Sequence, residues 1–573
     1  MNNVPSPSPK PTRFRLGDVL RQKNLISAEQ LEQALARQKQ TGQRLGQVLV
    51  DSGALTYDRL AAALAEQLHL PLVNLKAYPF KPELVRLLPQ GTARRLQAVV
   101  LEERPHDLLV AVADPFNLQI YDELVRLLGR DVALAVAPID QLDTALDRVF
   151  RRTEEITDLA RTLEKEIGQS FSFGALGAEG PSDEAPVVRF LQTVFEDAMQ
   201  VNASDIHVEP QETEILIRFR IDGVLHQQTR LDKRISAALA QRLKLMASLD
   251  ISERRLPQDG RFEIQARGEP VDVRMSTLPS QYGESIVMRL LRRSATVGRL
   301  DQLGMPEGMR ERIGHLLKRG SGMILVTGPT GSGKTTTLYA AMASLDSARL
   351  KIMTVEDPVE YRLAGIVQTQ VNDKIDLDFA RVLRAALRQD PDVILVGEIR
   401  DQETAEIALR AAITGHMVLS TLHTRDAAST PMRLLDMGAP SFMVATALNA
   451  VLAQRLVRVN CEICSEPTEL TPAEREWTEA MLGHAAPTLR QRAGRGCPSC
   501  NHSGYLGRTG VYEMFEMDPE LLNLAAHGQT GAFSKLAYER MQGKTLAHHA
   551  LQLVAEGRTT IAEAMKVSAQ TEA

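Results

Sequence analysis

Aromatic side chains make up only 4% of this 573-residue chain, with a single tryptophan, and cysteine is scarcer still at four. No stretch approaches the roughly 20 consecutive apolar residues that span a bilayer, so the chain is not expected to cross a membrane by itself. A net charge of −5 leaves no positive excess, which argues against a dedicated nucleic-acid binder, since such binding rests on phosphate neutralisation and, for single strands, on aromatic stacking. The opening MNNVPSPSPKPT carries Pro and Ser where a secretory signal would be apolar, and reads as a disordered leader (1–12) on a cytoplasmic protein. A cytosolic chain is not expected to spend its entire thiol inventory on disulfides. All four cysteines fall in two C-x-x-C pairs, Cys461 with Cys464 and Cys497 with Cys500, 32 residues apart, and four thiolates so spaced suit a closed structural zinc site. His502 lies close by, but four cysteines leave a tetrahedral zinc no need of a fifth ligand.

What is present is an ordinary globular composition, 44% hydrophobic and 24% charged, over a length that suggests three or four domains. The segment RLGDVLRQKNLISAEQLEQALARQ at 15–38 returns as RLGQVLVDSGALTYDRLAAALAEQ at 44–67, with ten of 24 positions identical. In each copy apolar residues at helical spacing follow a Ser or Thr that can cap a helix, so each copy (together 13–70) is expected to be helix, turn, helix. From the pattern alone, the repeat serves equally as a helical bundle that only packs or as a pair of ligand-binding units. Apolar strands and helices alternate over 71–152, a small α/β domain with no assigned chemistry. A charged helix and a Gly, Ser and Pro-rich stretch make a flexible linker over 153–186. Strand-like alternation in EILIRFRIDGVL, RFEIQA and VDVRMSTL marks a half-buried sheet over 187–298, and a second α/β core follows at 299–445.

That core opens on the strongest signal in the chain. MILVTGPTGSGKTTTLYAAMASL places an apolar strand, then G-x-x-x-x-G-K-T, then a helix. Gly328, Pro329, Thr330, Gly331, Ser332, Gly333, Lys334, Thr335 and Thr336 are therefore expected to bind ATP: the backbone N–H groups converge on phosphate oxygens, Lys334 reaches the β- and γ-phosphates, and the Thr335 hydroxyl ligates Mg²⁺. DVILVGEIRD reads as a buried strand that delivers Glu398 to the edge of that site, and TVEDPVEY supplies Glu356, Asp357 and Glu360, one of them expected to orient water. His416 and His423, seven apart across a probable strand, suit site-lining roles and not a zinc pair.

Taken together, ASDIHVEP, RLPQDGRF, the phosphate loop, TVEDPVEY, LRQDPDVILVGEIRDQETAEIALRAAITGHMVLSTLHT and QRLVR resemble the secretion ATPase superfamily, the hexameric motors of type II secretion and type IV pilus assembly. The resemblance implies a multidomain α/β protein: a RecA-like P-loop core preceded by a PAS-like α/β domain, a helical tandem-repeat domain and a small α/β domain, with a zinc-binding tetracysteine arm (446–520) and a helical C-terminal region (521–573). It implies that Glu360 polarises the attacking water, that ILVGE is the Walker B strand and that His416 and His423 form the His box. Gly397 stands where many phosphate-loop ATPases place an Mg²⁺-binding Asp, so Glu398 would act on the metal through water. The 187–298 domain would cover the nucleotide with arginines, for which Arg261, Arg274 and Arg289 hold the motif positions, although each equally suits a charge on a solvated sheet face. The doubled opening segment looks like the cyclic-di-GMP-binding repeat of pilus-assembly ATPases of the mannose-sensitive haemagglutinin type. It implies ligand contacts from Arg15, Leu16, Gly17, Asp18 and Gln38 in one copy and Arg44, Leu45, Gly46, Gln47 and Gln67 in the other, and Asn24 of the first copy, in place of the family's glycine that the second keeps as Gly53, is expected to weaken the first site without abolishing it. The function implied is a homohexameric cytoplasmic ATPase, peripheral to the inner membrane, that works through an inner-membrane platform protein and cytoplasmic assembly proteins to build a pilus. A type II secretion motor is the close alternative; a DNA translocase and a nucleotide-gated scaffold are the remote ones.

Overall fold

The computed structural model describes residues 16–76, 78–150, 186–292, 298–483 and 491–572, with Ile156, Leu159, Arg161 and Thr162 between them. The expected leader, Arg15 and nearly all of the expected linker lie outside the described residues. The chain divides into two compact units, Met1–Glu155 and Ile156–Ala573. Among the described residues no helix is long and apolar enough to cross a membrane.

In the first unit the duplicated sequence forms two helix–turn–helix repeats, Leu16–Gln22 with Ala28–Thr41 and Leu45–Asp51 with Tyr57–Gln67. Ser27 caps the second helix in a reciprocal box with Gln30, and the Thr56 hydroxyl accepts the Arg59 N–H at the start of the fourth. The two turns are alike: Asn24 at φ 54° and Gly53 at φ 74° both take left-handed angles, which asparagine tolerates better than most side chains. Gly17 and Gly46 lie inside the short helices, where a Cβ would come within 2.8 Å of Leu31 and 3.0 Å of Leu60. The glycine of each Arg-Leu-Gly is thus the point at which a short helix crosses a long one over a core of Leu20, Ile26, Ala34, Val48, Leu49, Leu55 and Ala63. A three-stranded sheet follows: β1 (Ala98–Glu103) and β2 (Asp107–Val112) are antiparallel, and β3 (Asp131–Val136) joins β2 in parallel across the helix Leu118–Leu128. The second repeat rests on this domain, where Gln141 donates to Asp58 and accepts the Leu75 N–H.

The second unit carries two large sheets. Six antiparallel strands, β4 (Asp205–Pro210), β5 (Glu214–Ile221), β6 (Val224–Asp232), β7 (Gln258–Ala266), β8 (Glu269–Ser280) and β9 (Gly283–Arg292), lie in the order β6-β5-β4-β9-β8-β7. Strict alternation sends Ile215, Ile217, Phe219, Val271, Val273 and Met275 into a core with the helices Pro186–Gln200 and Ser236–Met246, and leaves the other face charged. The second sheet holds β10 (Gly322–Thr327), β11 (Ile352–Glu356), β12 (Val367–Gln370), β13 (Val393–Val396), β14 (Met417–Leu422) and β15 (Leu448–Asn460), all parallel. Short strands β16 (Ser465–Thr468) and β17 (Gln491–Gly494) pair apart from it, and β18 (Tyr505–Glu516) closes it antiparallel to β15, giving β12-β11-β13-β14-β10-β15-β18. Strands β10, β11, β13 and β14 are buried along their whole length, as parallel strands covered on both faces must be. Their carboxyl ends, where ligands bind in open parallel sheets, carry the phosphate loop, Asp357, Glu398 and His423 in turn.

Candidate active site

Gly328, Gly331 and Gly333 take φ values of 148°, 81° and 88°, which side chains disfavour. The first and last also press on β15: a Cβ on Gly328 would stand 2.4 Å from the Gln454 carbonyl oxygen, and one on Gly333 2.8 Å from Gln454 Nε2. The helix Lys334–Ala343 begins directly after this turn, so its unpaired N–H groups face the loop's mouth. Pro329, Thr330, Gly331 and Thr336 are exposed at that mouth and Thr335 is half-buried, whereas Ser332 is buried with a hydroxyl that has no partner among the described residues. Lys334 folds back on the loop, its Nζ donating to the carbonyls of Gly328 at 2.8 Å and Pro329 at 3.1 Å. Burial pushes its ammonium down to about 8, against the pull of Glu398 and with a further push from Arg455.

Glu398 follows β13 and accepts from Arg400 at 3.1 Å, with His423 Nε2 at 3.3 Å, while Arg400 also reaches Asp357 at 3.3 Å. Four groups from three strand ends thus form one polar cluster beside the loop. Gly397 stands where other phosphate-loop enzymes have an aspartate, and the place is tight for a side chain: a Cβ there would lie 3.1 Å from the Val355 carbonyl oxygen and 3.3 Å from Glu356 Cα. Glu356, read from sequence as one of three acids beside the phosphates, is instead a buried structural hub. It accepts from the Tyr339 hydroxyl, from Thr354 at 2.6 Å and from Gln368 at 3.3 Å. That leaves Asp357 and Glu360 as the open acids of this segment. Glu360 pairs with Arg274 Nη1 at 3.0 Å, and Arg274 Nη2 donates to the Val359 carbonyl at 3.1 Å. The six-stranded domain therefore reaches the acidic loop through Arg274. Arg289 pairs instead with Asp205, and Arg261 is exposed. His416 and His423 are not brought together: they flank the six residues of β14, and His416 Nδ1 donates to Ala411 O at the amino end, away from the phosphate loop.

Arg400 and Arg455 are the residues sequence reasoning missed. Arg455 is 3% exposed, and its guanidinium lies behind the loop, donating to Gln454 O at 3.0 Å and to Arg425 O. Its signal was the QRLVR string, in which Gln454 also accepts from Thr337 at 2.7 Å. In the first unit Arg44 sits at the N-cap of Leu45–Asp51 and pairs with Asp114, and Gln47 donates to Asp51 and Tyr57. Leu16, Leu45, Gln38 and Gln67 are half-buried, and Asp18 lies on the first short helix.

The four cysteines meet between β15 and β18, all sulfurs within 4.8 Å of one another. Cys461 to Cys497, Cys464 to Cys500 and Cys497 to Cys500 measure 3.8, 3.9 and 3.8 Å, against about 3.8 Å between sulfurs at tetrahedral corners around zinc. Burial pushes the Cys461 thiol up to about 12, so a dication is what would hold it as thiolate. N–H groups of Cys497 and Gly504 already donate to Cys500 Sγ. The residues fit zinc.

A phosphate loop between central parallel strands, with acids at the neighbouring strand ends, defines a RecA-like P-loop ATPase. The chain belongs to the type II/IV secretion system protein family, which it matches over residues 181–566, and residues 68–156 match the MshEN domain. It is 41% identical over 562 residues to the type IV pilus assembly ATPase PilB of Myxococcus xanthus (strain DK1622), covering 96% of this chain and 98% of that protein. It is 44% identical over 500 residues to the type II secretion system protein E of Dickeya dadantii (strain 3937), covering 85% and 98%. Among solved structures, MshE with cdg is 38% identical over 24% of this chain and 99% of that one, at a TM-score of 0.23.

Proposed function

We propose that the protein is a cytoplasmic, homohexameric motor that hydrolyses ATP to drive assembly of a type IV pilus of the mannose-sensitive haemagglutinin type, acting through an inner-membrane platform protein. The likeness to the pilus assembly ATPase over 96% of the chain supports the pilus reading, and the 44% identity to a type II secretion system protein E over 85% of it supports that alternative equally. The domain limits expected from sequence serve as the working division of the motor.

In this reading the amides of Gly331, Ser332, Gly333 and Lys334 grip the phosphates and Lys334 exchanges its two carbonyl partners for phosphate oxygens. Thr335 and Glu398 would hold Mg²⁺, which neutralises charge on the transferring phosphoryl group. Glu360 orients the attacking water and accepts its proton; Arg274, bound to Glu360, fixes that carboxylate and stands ready to meet charge on the leaving oxygens. Glu360→Gln is expected to keep nucleotide binding and lower turnover about 10²- to 10⁴-fold, the range for loss of a positioned base. Unchanged phosphate release would remove Glu360 from this role.

The two repeats bind one cyclic-di-GMP, a two-fold ligand matched by two copies. Support comes from the matched turn geometry at Asn24 and Gly53 and the MshEN match that follows the repeats. Both copies contribute, since Asn24 holds the angle the turn needs. Calorimetric titration with cyclic-di-GMP should show one ligand per chain, with Arg15→Ala and Arg44→Ala weakening it alike. Binding that survives both substitutions would return the repeats to a packing role. Turnover stimulated by DNA would favour the translocase alternative.

A further inference from the structure

The charged face of the six-stranded sheet has an order that its sequence hides. Antiparallel register sets Arg261 opposite Arg274, Arg274 opposite Arg289, Arg289 opposite Asp205 and Asp205 opposite Arg220. Directly opposed residues share a face, so four arginines and one aspartate form a single row across β7, β8, β9, β4 and β5. Like charges placed this way repel, and Asp205 is the one carboxylate within the row. It is 5% exposed, which an unpaired carboxylate would not tolerate. Its Oδ1 accepts from Arg289 Nε at 3.1 Å, its Oδ2 accepts from the Ser204 hydroxyl at 2.8 Å, and Arg220 Nε lies 3.8 Å away.

The geometry of these contacts matters. Asp205 takes Arg289 by Nε, the inner nitrogen of the guanidinium, and the Arg289 side chain stays 57% exposed beyond it. An arginine anchored in this way keeps its terminal fork for a second anion. Arg220 is anchored differently, by its terminal Nη1 on the Gly223 carbonyl at 3.0 Å, and its side chain is 36% exposed. Asp205 itself is buried and negative, and so is unsuited to touch a triphosphate. We infer that Asp205 is the positioning residue of the arginine cover, holding Arg289 and Arg220 in line with Arg274, and that Arg220 is a fourth arginine of that cover. The inference rests on the reading that this row faces the nucleotide's phosphates.

The test is steady-state ATP turnover of the full-length protein in its assembled state, with melting curves alongside. Asp205→Asn, nearly isosteric, is expected to lower kcat about tenfold to a hundredfold through misplacement of the guanidinium, with KM for ATP changed less than about threefold. Asp205→Asn combined with Arg289→Ala should be no slower than Arg289→Ala alone, because the two act as one unit. The same Asp205→Asn loss should persist in full in an Arg274→Ala background. Arg220→Ala, at a partly exposed position, should lower kcat while leaving the melting temperature in place, and it carries the test if Asp205→Asn fails to fold. Wild-type kcat in both Asp205→Asn and Arg220→Ala would overturn the inference, as would losses from Asp205→Asn and Arg289→Ala that multiply independently. If Arg274→Ala and Arg289→Ala both keep wild-type kcat, the cover itself falls; if they slow turnover and Asp205→Asn does not, only the positioning role falls.

Discussion

Nucleotide binding should take up a proton in mildly alkaline solution, and Lys334 is the group that does so. In the free loop its ammonium is buried against two carbonyls and its pKa is pushed down to about 8. Phosphate oxygens at the same nitrogen favour the charged form, so the pKa rises on binding and the complex carries a proton that part of the free population lacks. The sign follows: above about pH 8, binding is linked to proton uptake and weakens as pH rises. With about half of the free loops protonated at pH 8 and about one in ten at pH 9, ATP affinity should fall about tenfold between pH 7 and pH 9. ATP adds little of its own, since a phosphate group's second pKa lies near about 6. Calorimetry in two buffers of different ionisation enthalpy measures uptake directly: about half a proton per site at pH 8, approaching one at pH 9. Lys334→Ala should bind weakly and with no pH dependence over this range. Affinity that stays level from about pH 7 to about pH 9.5 in the unmodified protein, with no buffer dependence, would refute the coupling of Lys334 to the phosphates.

Purified protein should carry about one zinc per chain by elemental analysis, and Cys464→Ser should lose it and lower the melting temperature, because four sulfurs at tetrahedral spacing, three of them on buried cysteines, need a cation to be held as thiolates. Asn24→Val should destabilise the first repeat by about 1 to 2 kcal/mol, since a β-branched residue resists left-handed angles, whereas Asn24→Gly should be nearly neutral; denaturation of the full chain followed by amide exchange at Leu20–Ile26 reads the difference.

Features carried by contiguous residues were legible in the sequence. The phosphate loop, the cysteine pairs, the duplicated helices and their Ser27 and Thr56 caps each need only local spacing, and the structure places each where its pattern required. Features made by register were not. Glu356, Asp357 and Glu360 look alike as three acids in five residues, yet only Glu356 is the last residue of a buried strand, and its donors come from positions 339, 354 and 368. Nothing local announces that. Arg261, Arg274 and Arg289 are 13 and 15 residues apart in sequence, and they become neighbours only through strand pairing. The two histidines show the opposite case, for a strand of six residues between positions 416 and 423 already requires that they sit at opposite ends of it.

The QRLVR string shows why a motif can be readable before its purpose is. Thr337 from the helix after the phosphate loop ties to the Gln454 side chain, while the Gln454 carbonyl leaves Gly328 no space for a side chain and Arg455 fills the gap behind it. Gly328 and Gly333 are therefore demanded from two directions, by their positive φ angles and by a neighbouring strand that approaches too closely for a Cβ, whereas Gly331 is demanded by its angle alone. A strand more than 100 residues downstream thus constrains two of the three glycines of the loop. Arg455 adds charge that the sequence pattern alone does not reveal: buried and held by two carbonyls, its guanidinium places a second cation behind the one that Lys334 presents in front. Burial is the main cause of the lowered Lys334 ammonium, Arg455 adds a smaller push and Glu398 opposes both, whereas Arg455 itself is lowered by burial and steadied by Glu513 and Asp426. A polyphosphate that enters the loop restores the counter-charge that burial denies Lys334, so the free site favours the anion its amides are shaped to grip.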